Sequence, residues 1–372
     1  MSDELKCKQQ AAVLKEADRV MGICNACRYC EGICALFPAM ELRRTFTAGD
    51  LNYLANLCHN CRGCYYCCQY APPHEFQLNF PQAMSALRAQ TYEQTAPGFL
   101  KKLFPNNAFY VFAVSLVATI LLTAVSLCAS GPSVFFGAHS GSGSFYKIIP
   151  YGAMLLVFCL AGLFALVALL RGVIAFWRIS DGKLQWLDLA AHKKAVRDVL
   201  TLKYLDGGGD GCNYPDNRFS MIRRQFHHAV FYGFLLCLAS TSVAFIYDHA
   251  FGWPAPYGFF SLPVLLGTFG GLGLLAGTGG MLWLKTVMDA RPADPASTGM
   301  DMAFSALLFL VSLSGLLLLV FRSTELMGLL LCIHLGLVLG LFLTMPCGKF
   351  VHAVFRYAAL VRNAHEQRTG QV

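Results

Sequence analysis

Two ladders of cysteine carry the clearest chemistry in the chain: Cys24, Cys27, Cys30 and Cys34, then Cys58, Cys61, Cys64 and Cys68, each spaced x2, x2, x3. Thiolates three residues apart can wrap one corner of an iron–sulfur cubane while the fourth points away toward a neighbouring cluster. The spacing predicts two [4Fe-4S] clusters. One takes Cys24, Cys27, Cys30 and Cys68; the other takes Cys58, Cys61, Cys64 and Cys34. Zinc also suits four thiolates, but zinc ribbons use two pairs separated by a long gap. Proline, which usually follows the fourth cysteine, arrives late here as Pro38 and Pro72. Cys67 is left over beside Cys68, and exchanged roles for these two stay open. Cys7 lies outside both ladders. Cys128, Cys159, Cys237 and Cys332 read as small hydrophobes in apolar runs, and Cys212 as an inert thiol in a glycine-rich loop.

Histidine is the second chemical signal. A ring in hydrocarbon is costly without a partner or a task, and the usual intramembrane electron carrier is haem held by histidines from different helices. The candidates are His227, His228, His249, His334 and His352. His334 and His352 are five turns apart on one helical face, about 27 Å along the axis. His228 and His249 are nearly six turns apart. Depth pairs His228 with His352 and His249 with His334, and His227 is an equally placed substitute for His228. One or two b-type haems follow.

These groups need a scaffold, and composition says which. The chain is 56% hydrophobic and 13% charged over 372 residues, too little charge to cover a soluble surface of that size. An apolar run of about 20 residues crosses the hydrocarbon as a helix. Six such runs are expected at 109–129, 149–170, 229–247, 258–284, 302–321 and 326–345. Before Phe104 the chain is charged and cysteine-rich. The expected domains are 1–103 and 104–372.

Orientation follows from Lys and Arg, since positive loops resist translocation. The loop at 178–225 has nine of them, whereas the opposite face shows only Lys147 and Arg322. Both termini and the cysteine domain are therefore expected in the cytoplasm, with the chain multi-pass in the inner membrane. The start, MSDELKCKQQ, reads as carrying no cleavable leader. The formal charge of +8 then records topology and names no nucleic acid.

Between the ladders, Met40 to Leu57 is apolar at helical spacing and reads as one helix. The amino-terminal domain is thus an α-helical two-cluster ferredoxin. Leu187 to Tyr204 reads as a surface helix, either interfacial or packed on that domain. The glycine-rich fourth span, with Gly273 and Gly277 at GxxxG spacing, reads as helix packing. Near-absence of charge within the spans argues against a coupled transporter.

The doubled ladder, the six spans and GGGDGCNYPDNRFSMIRRQFHHAVFYGFLLCLAST at 207–241 together resemble the tricarballylate and citrate utilization protein B family. The resemblance covers nearly the whole chain. It implies two [4Fe-4S] clusters and haem, and a role as redox partner of a separate FAD-dependent dehydrogenase that converts tricarballylate to cis-aconitate. The electrons would pass to membrane quinone. The His334 to His352 spacing also resembles that of the cytochrome b subunit of respiratory nitrate reductase.

The expected fold class is therefore all-α, a bis-cluster ferredoxin domain followed by a six-helix, cytochrome b-like transmembrane bundle. Such a protein would be an electron-transfer component rather than a substrate-transforming enzyme. A cytoplasmic flavoprotein would dock near Arg28, Arg43, Arg44 and Arg62. Three alternatives remain: a quinol-oxidising relay running in reverse, a tricarboxylate transporter with a redox-sensing domain, and an anchor that only recruits the dehydrogenase.

Overall fold

The computed structural model describes residues 3–104, 106–180 and 187–370. The cysteine-rich region forms α1 (Asp3–Cys27), α2 (Leu36–Glu41), α3 (Ala48–Leu57), α4 (Gly63–Tyr66) and α5 (Phe80–Thr95). The stretch read as one helix from Met40 to Leu57 is two. Thr47 and Asp50 form a capping box that starts α3, because each side chain satisfies a backbone N–H the helix leaves open. Asn79 caps α5 in the same way, with Pro81 in its first turn.

Six long apolar helices follow: α6 (Asn107–Ser130), α8 (Tyr151–Ile179) after the short α7 (Pro132–Phe135), then α10 (Ile222–Phe251), α11 (Leu262–Val287), α12 (Pro295–Phe321) and α13 (Met327–Thr344). Each coincides with an expected span. Several run further toward the charged ends, because a helix continues beyond the hydrocarbon until a cap or proline stops it. On α8, Leu156, Leu160, Leu163, Val167, Leu170 and Ile174 recur at helical spacing and are 47–61% exposed. An apolar stripe left outside the protein core is the face a bilayer covers.

The α9 helix (Leu189–Leu200) is capped by Asp188 and packs on α14 (Val351–Thr369). Ala191 and Ala195 of α9 join the same core as α1, α3 and α5. The helix expected at 187–204 is therefore a packed one. Of the loop expected at 178–225, residues 181–186, with Lys183, lie outside the described residues. The rest of it contains a two-residue hairpin, β1 (Cys212–Asn213) with β2 (Phe219–Ser220), the single strand pair among the described residues.

A buried ion cluster locks the amino-terminal helices to α14. Arg43 bonds Asp50 at 2.7 Å and Glu366 at 2.6 Å, and Arg362 bonds the same two carboxylates at 3.3 and 2.7 Å. Both guanidiniums face the Tyr53 ring, 5.1 and 4.2 Å from its centroid. Arg43 is consequently 3% exposed, and Arg62, bonded to the Asp289 carbonyl, is 2% exposed. Neither can form the docking surface expected of them. Burial with partners took these charges inward; Arg28 and Arg44 stay exposed.

Candidate electron-transfer site

The first ladder begins on a helix. Cys24 and Cys27 lie in the last turn of α1, where positions three apart share a face. Arg28 then takes φ +55°, a left-handed conformation disfavoured outside glycine, and turns the chain so that Cys30 and Cys34 follow in tight turns. In the second ladder, Asn60 and Arg62 adopt φ +53° and +68° on either side of Cys61. Strained residues of this kind gather at functional sites and persist where neighbours hold them. Arg62 is held by Asp289 and Met288.

The two ladders interleave. Cys24, Cys27, Cys30 and Cys68 all line one cavity of about 200 Å³. Cys64 and Cys67 also reach its wall, and the Cys30 and Cys67 sulfurs are 3.6 Å apart. Burial and the crowding of Cys68, Cys27 and Cys67 push the Cys24 thiol up to about 12. The hydrogen bond shared by Cys30 and Cys67 shifts the two thiols in opposite directions, Cys30 up and Cys67 down. Both Cys67 and Cys68 thus face the cavity.

The other four cysteines lie beside it. Burial, then the neighbouring Cys61 and Cys58 thiols, push Cys34 and Cys64 above the ordinary thiol range. Backbone N–H groups of Leu36 and Phe37 point at the Cys34 sulfur, that of Asn60 at Cys58 (3.4 Å), and that of Gly63 at Cys61. Such N–H donors are what thiolate ligands of an iron–sulfur cluster accept, so the residues fit that group. Among the described residues, no three His, Cys, Asp or Glu are gathered on one point to hold a single ion. Cys212, read from sequence as inert, is buried, donates to the Leu205 carbonyl at 3.3 Å and lies beside the Cys61 thiol.

Of the five histidines, the structure brings together His227 of α10 and His352 of α14, ring centroids 6.3 Å apart and planes at 77°. If haem were bound, two histidines from different helices would hold it and it would supply a one-electron carrier there. His352 directs Nδ1 to the Lys349 carbonyl at 2.5 Å, which frees Nε2 for a metal. His227 has a buried Nδ1 with no partner. Two imidazoles from different helices could thus hold one metal ion between them, as haem would require.

His228 is not part of this pair. One residue further on lies about 100° around the helix, and its ring sits against Tyr232 instead, 5.9 Å away. The expected pairing of His249 with His334 is also not formed. His249 stacks on Phe245 at 3.9 Å and meets the Tyr151 hydroxyl at 3.2 Å, while His334 bonds Val311 and Ser314 of α12. The reason is topological: α10 packs on α11, and α13 packs on α12 and α6. Among the described residues, ring contacts join no other two histidines.

Three arginines that the sequence reading left unassigned tie the two centres together. Arg88 and Arg356 both donate to the Cys58 carbonyl, at 2.7 and 2.9 Å. Arg223 donates to the Asn60 carbonyl at 2.6 Å and to that of His59 at 3.3 Å. Arg223 is one turn before His227 on α10, and Arg356 is one turn after His352 on α14. The loop between Cys58 and Cys61 is therefore pinned to both histidine-bearing helices. The signal was present as Arg and His four apart, in opposite order, in RRQFHH and HAVFR.

Comparison with known proteins adds the family. Residues 106–371 match the family described as citrate utilization protein B, and residues 17–94 match its Fer4-like domain. The chain is 46% identical over 360 residues to citrate utilization protein B of Escherichia coli, covering 96% of this chain and 93% of that one. No solved structure matches.

Proposed function

The chain belongs to the citrate utilization protein B family, and on that premise we propose that it is a membrane relay carrying electrons from a reduced FAD-dependent dehydrogenase to quinone. Its Fer4-like domain suggests an iron–sulfur role and its six apolar helices a multi-pass membrane protein. In this reading residues 1–103 are a cytoplasmic ferredoxin domain and residues 104–372 a haem-binding domain in the inner membrane. The dehydrogenase substrate is tricarballylate, by family resemblance.

Cys24, Cys27, Cys30 and Cys68 hold one [4Fe-4S] cluster, and Cys34, Cys58, Cys61 and Cys64 hold a second. His227 and His352 hold haem b. When bound, these groups supply one-electron steps that couple a two-electron flavin to a two-electron quinone. The chain's own part is to place them. Arg28, Asn60 and Arg62 turn the backbone within the two ladders. Backbone N–H groups at residues 36, 37, 60 and 63 steady the thiolates. Lys349 fixes the tautomer of His352 through its carbonyl.

One observation carries the reading: the loop between Cys58 and Cys61 is bonded to two arginines, each one helical turn from a ring of the His227–His352 pair. A transporter would not require that connection. The test is electron transfer in proteoliposomes. Reduced flavoprotein should reduce quinone only when the protein is present, without uptake of labelled acid. Cys61→Ser should abolish this while leaving flavoprotein binding intact. Uptake without quinone reduction would overturn the proposal.

A further inference from the structure

The two cysteine sets sit in opposite electrostatic surroundings. The cavity shared by Cys24, Cys27, Cys30 and Cys68 has no Lys, Arg, Asp or Glu in its wall. It opens beside Tyr29, which is 73% exposed, and the exposed Cys67. Around Cys58 and Cys61 the situation reverses. Arg88 reaches both the carbonyl and the thiol of Cys58, Arg356 reaches that carbonyl, and Arg223 lies against Cys61 and Cys212.

No carboxylate pairs with these three arginines among the described residues. Asp301, whose field reaches Arg88, is already held by Lys285 at 2.7 Å and Lys349 at 2.6 Å. The Arg356 Nε is buried without a partner. Arg88 is 3% exposed and Arg223 and Arg356 are half-buried; gathering such cations without a counter-charge is unfavourable, so this pocket is built to face an anion. Four thiolates around a cluster are that anion.

Resting on the relay reading, we infer that Arg88, Arg223 and Arg356 are positioning residues that raise the reduction potential of the cluster on Cys34, Cys58, Cys61 and Cys64 above that of the cluster on Cys24, Cys27, Cys30 and Cys68. A reduced cluster carries one more negative charge than an oxidised one, and nearby fixed cations stabilise it. Burial alone would push the other way. Water favours the reduced form at the open site, but the buried Arg88 and the half-buried Arg223 and Arg356 act with less screening than exposed charges. An electron leaving the first cluster then oxidises it and reduces the second, one station nearer His227 and His352. The step between the clusters is then downhill toward the membrane, while the end-to-end direction is set by the potentials of the flavin donor and the quinone.

The test is a redox titration of the intact detergent-solubilised protein followed by paramagnetic resonance. Two cluster signals should titrate separately. Cys61→Ser should remove the higher-potential signal, and Cys27→Ser the lower. Arg356→Gln and Arg88→Gln should each lower the higher potential alone, and Arg356→Lys should restore most of it. Should the glutamine variants fail to assemble, the two cysteine variants still assign the order. Reversed order, or arginine variants that leave both potentials unchanged, would overturn this inference and leave the relay standing. Absence of any cluster signal would overturn the relay itself.

Discussion

The rings of His227 and His352 face one another across two helices with centroids 6.3 Å apart, and each is one turn from an arginine bonded to the second cysteine ladder. Ligation by this pair predicts that His227→Ala and His352→Ala abolish the same b-type absorption in reduced-minus-oxidised spectra. His228→Ala should retain it, because that ring lies against Tyr232. Loss in His228→Ala with retention in His227→Ala would reverse the assignment.

The ion cluster between α3 and α14 supplies a stability prediction. Arg43→Ala leaves Glu366, which is 0% exposed, without one of its two cations, and breaking such a buried pair costs about 3 to 5 kcal/mol. Thermal unfolding of the solubilised protein should show a large drop. Burial acts to raise the Asp50 pKa, but Arg43 outweighs it and holds the carboxyl below its usual range. The stabilisation from Asp50 is thus complete above about pH 4 and is lost as pH falls through the lowered folded-state value. Arg43→Ala should reduce that acid sensitivity, leaving the part due to Thr47 and Arg362.

Helix crossing gives a matched pair of substitutions. A Cβ on Gly340 of α13 would lie 2.7 Å from the Ser115 Cα of α6, a backbone atom that cannot swing aside, whereas one on Gly162 of α8 meets nothing within 4 Å. Gly340→Ala should cost about 1 to 3 kcal/mol. Gly162→Ala should be neutral or stabilising by up to about 1 kcal/mol. The comparison is read from thermal unfolding, and equal effects would contradict this packing.

Topology is tested by labelling. Ser140→Cys, in the exposed stretch between α7 and α8, should react with an impermeant maleimide in intact cells. The exposed native Cys7 should react only after permeabilisation. The opposite pattern would place the cysteine domain outside.

The spans were legible because hydrocarbon demands long uncharged runs, and each expected run falls mainly on one long helix, although α11 starts only at Leu262. Their charged ends were less so, since Lys285 and Asp301 fall just beyond the apolar windows yet pair with each other and with Lys349. Spacing suggests that Cys68 joins the first ladder, and the structure sets Cys68 near Cys24 with Cys64 and Cys67 beside it. Arg43 and Arg62 misled because a charge looks the same in sequence whether solvated or buried. Their partners Glu366 and Asp289 are hundreds of residues away. Which of His227 and His228 faces His352 depends on the rotation of α10, a helix that packs on α11.

The central claim is that eight cysteines hold two iron–sulfur clusters at the entrance of a membrane relay. Anaerobically purified protein should be assayed for iron, acid-labile sulfide, zinc and haem in one preparation. The account predicts equal iron and sulfide in the cluster fraction, enough for two cubanes, plus haem iron. Zinc in place of iron, with no labile sulfide, would contradict it.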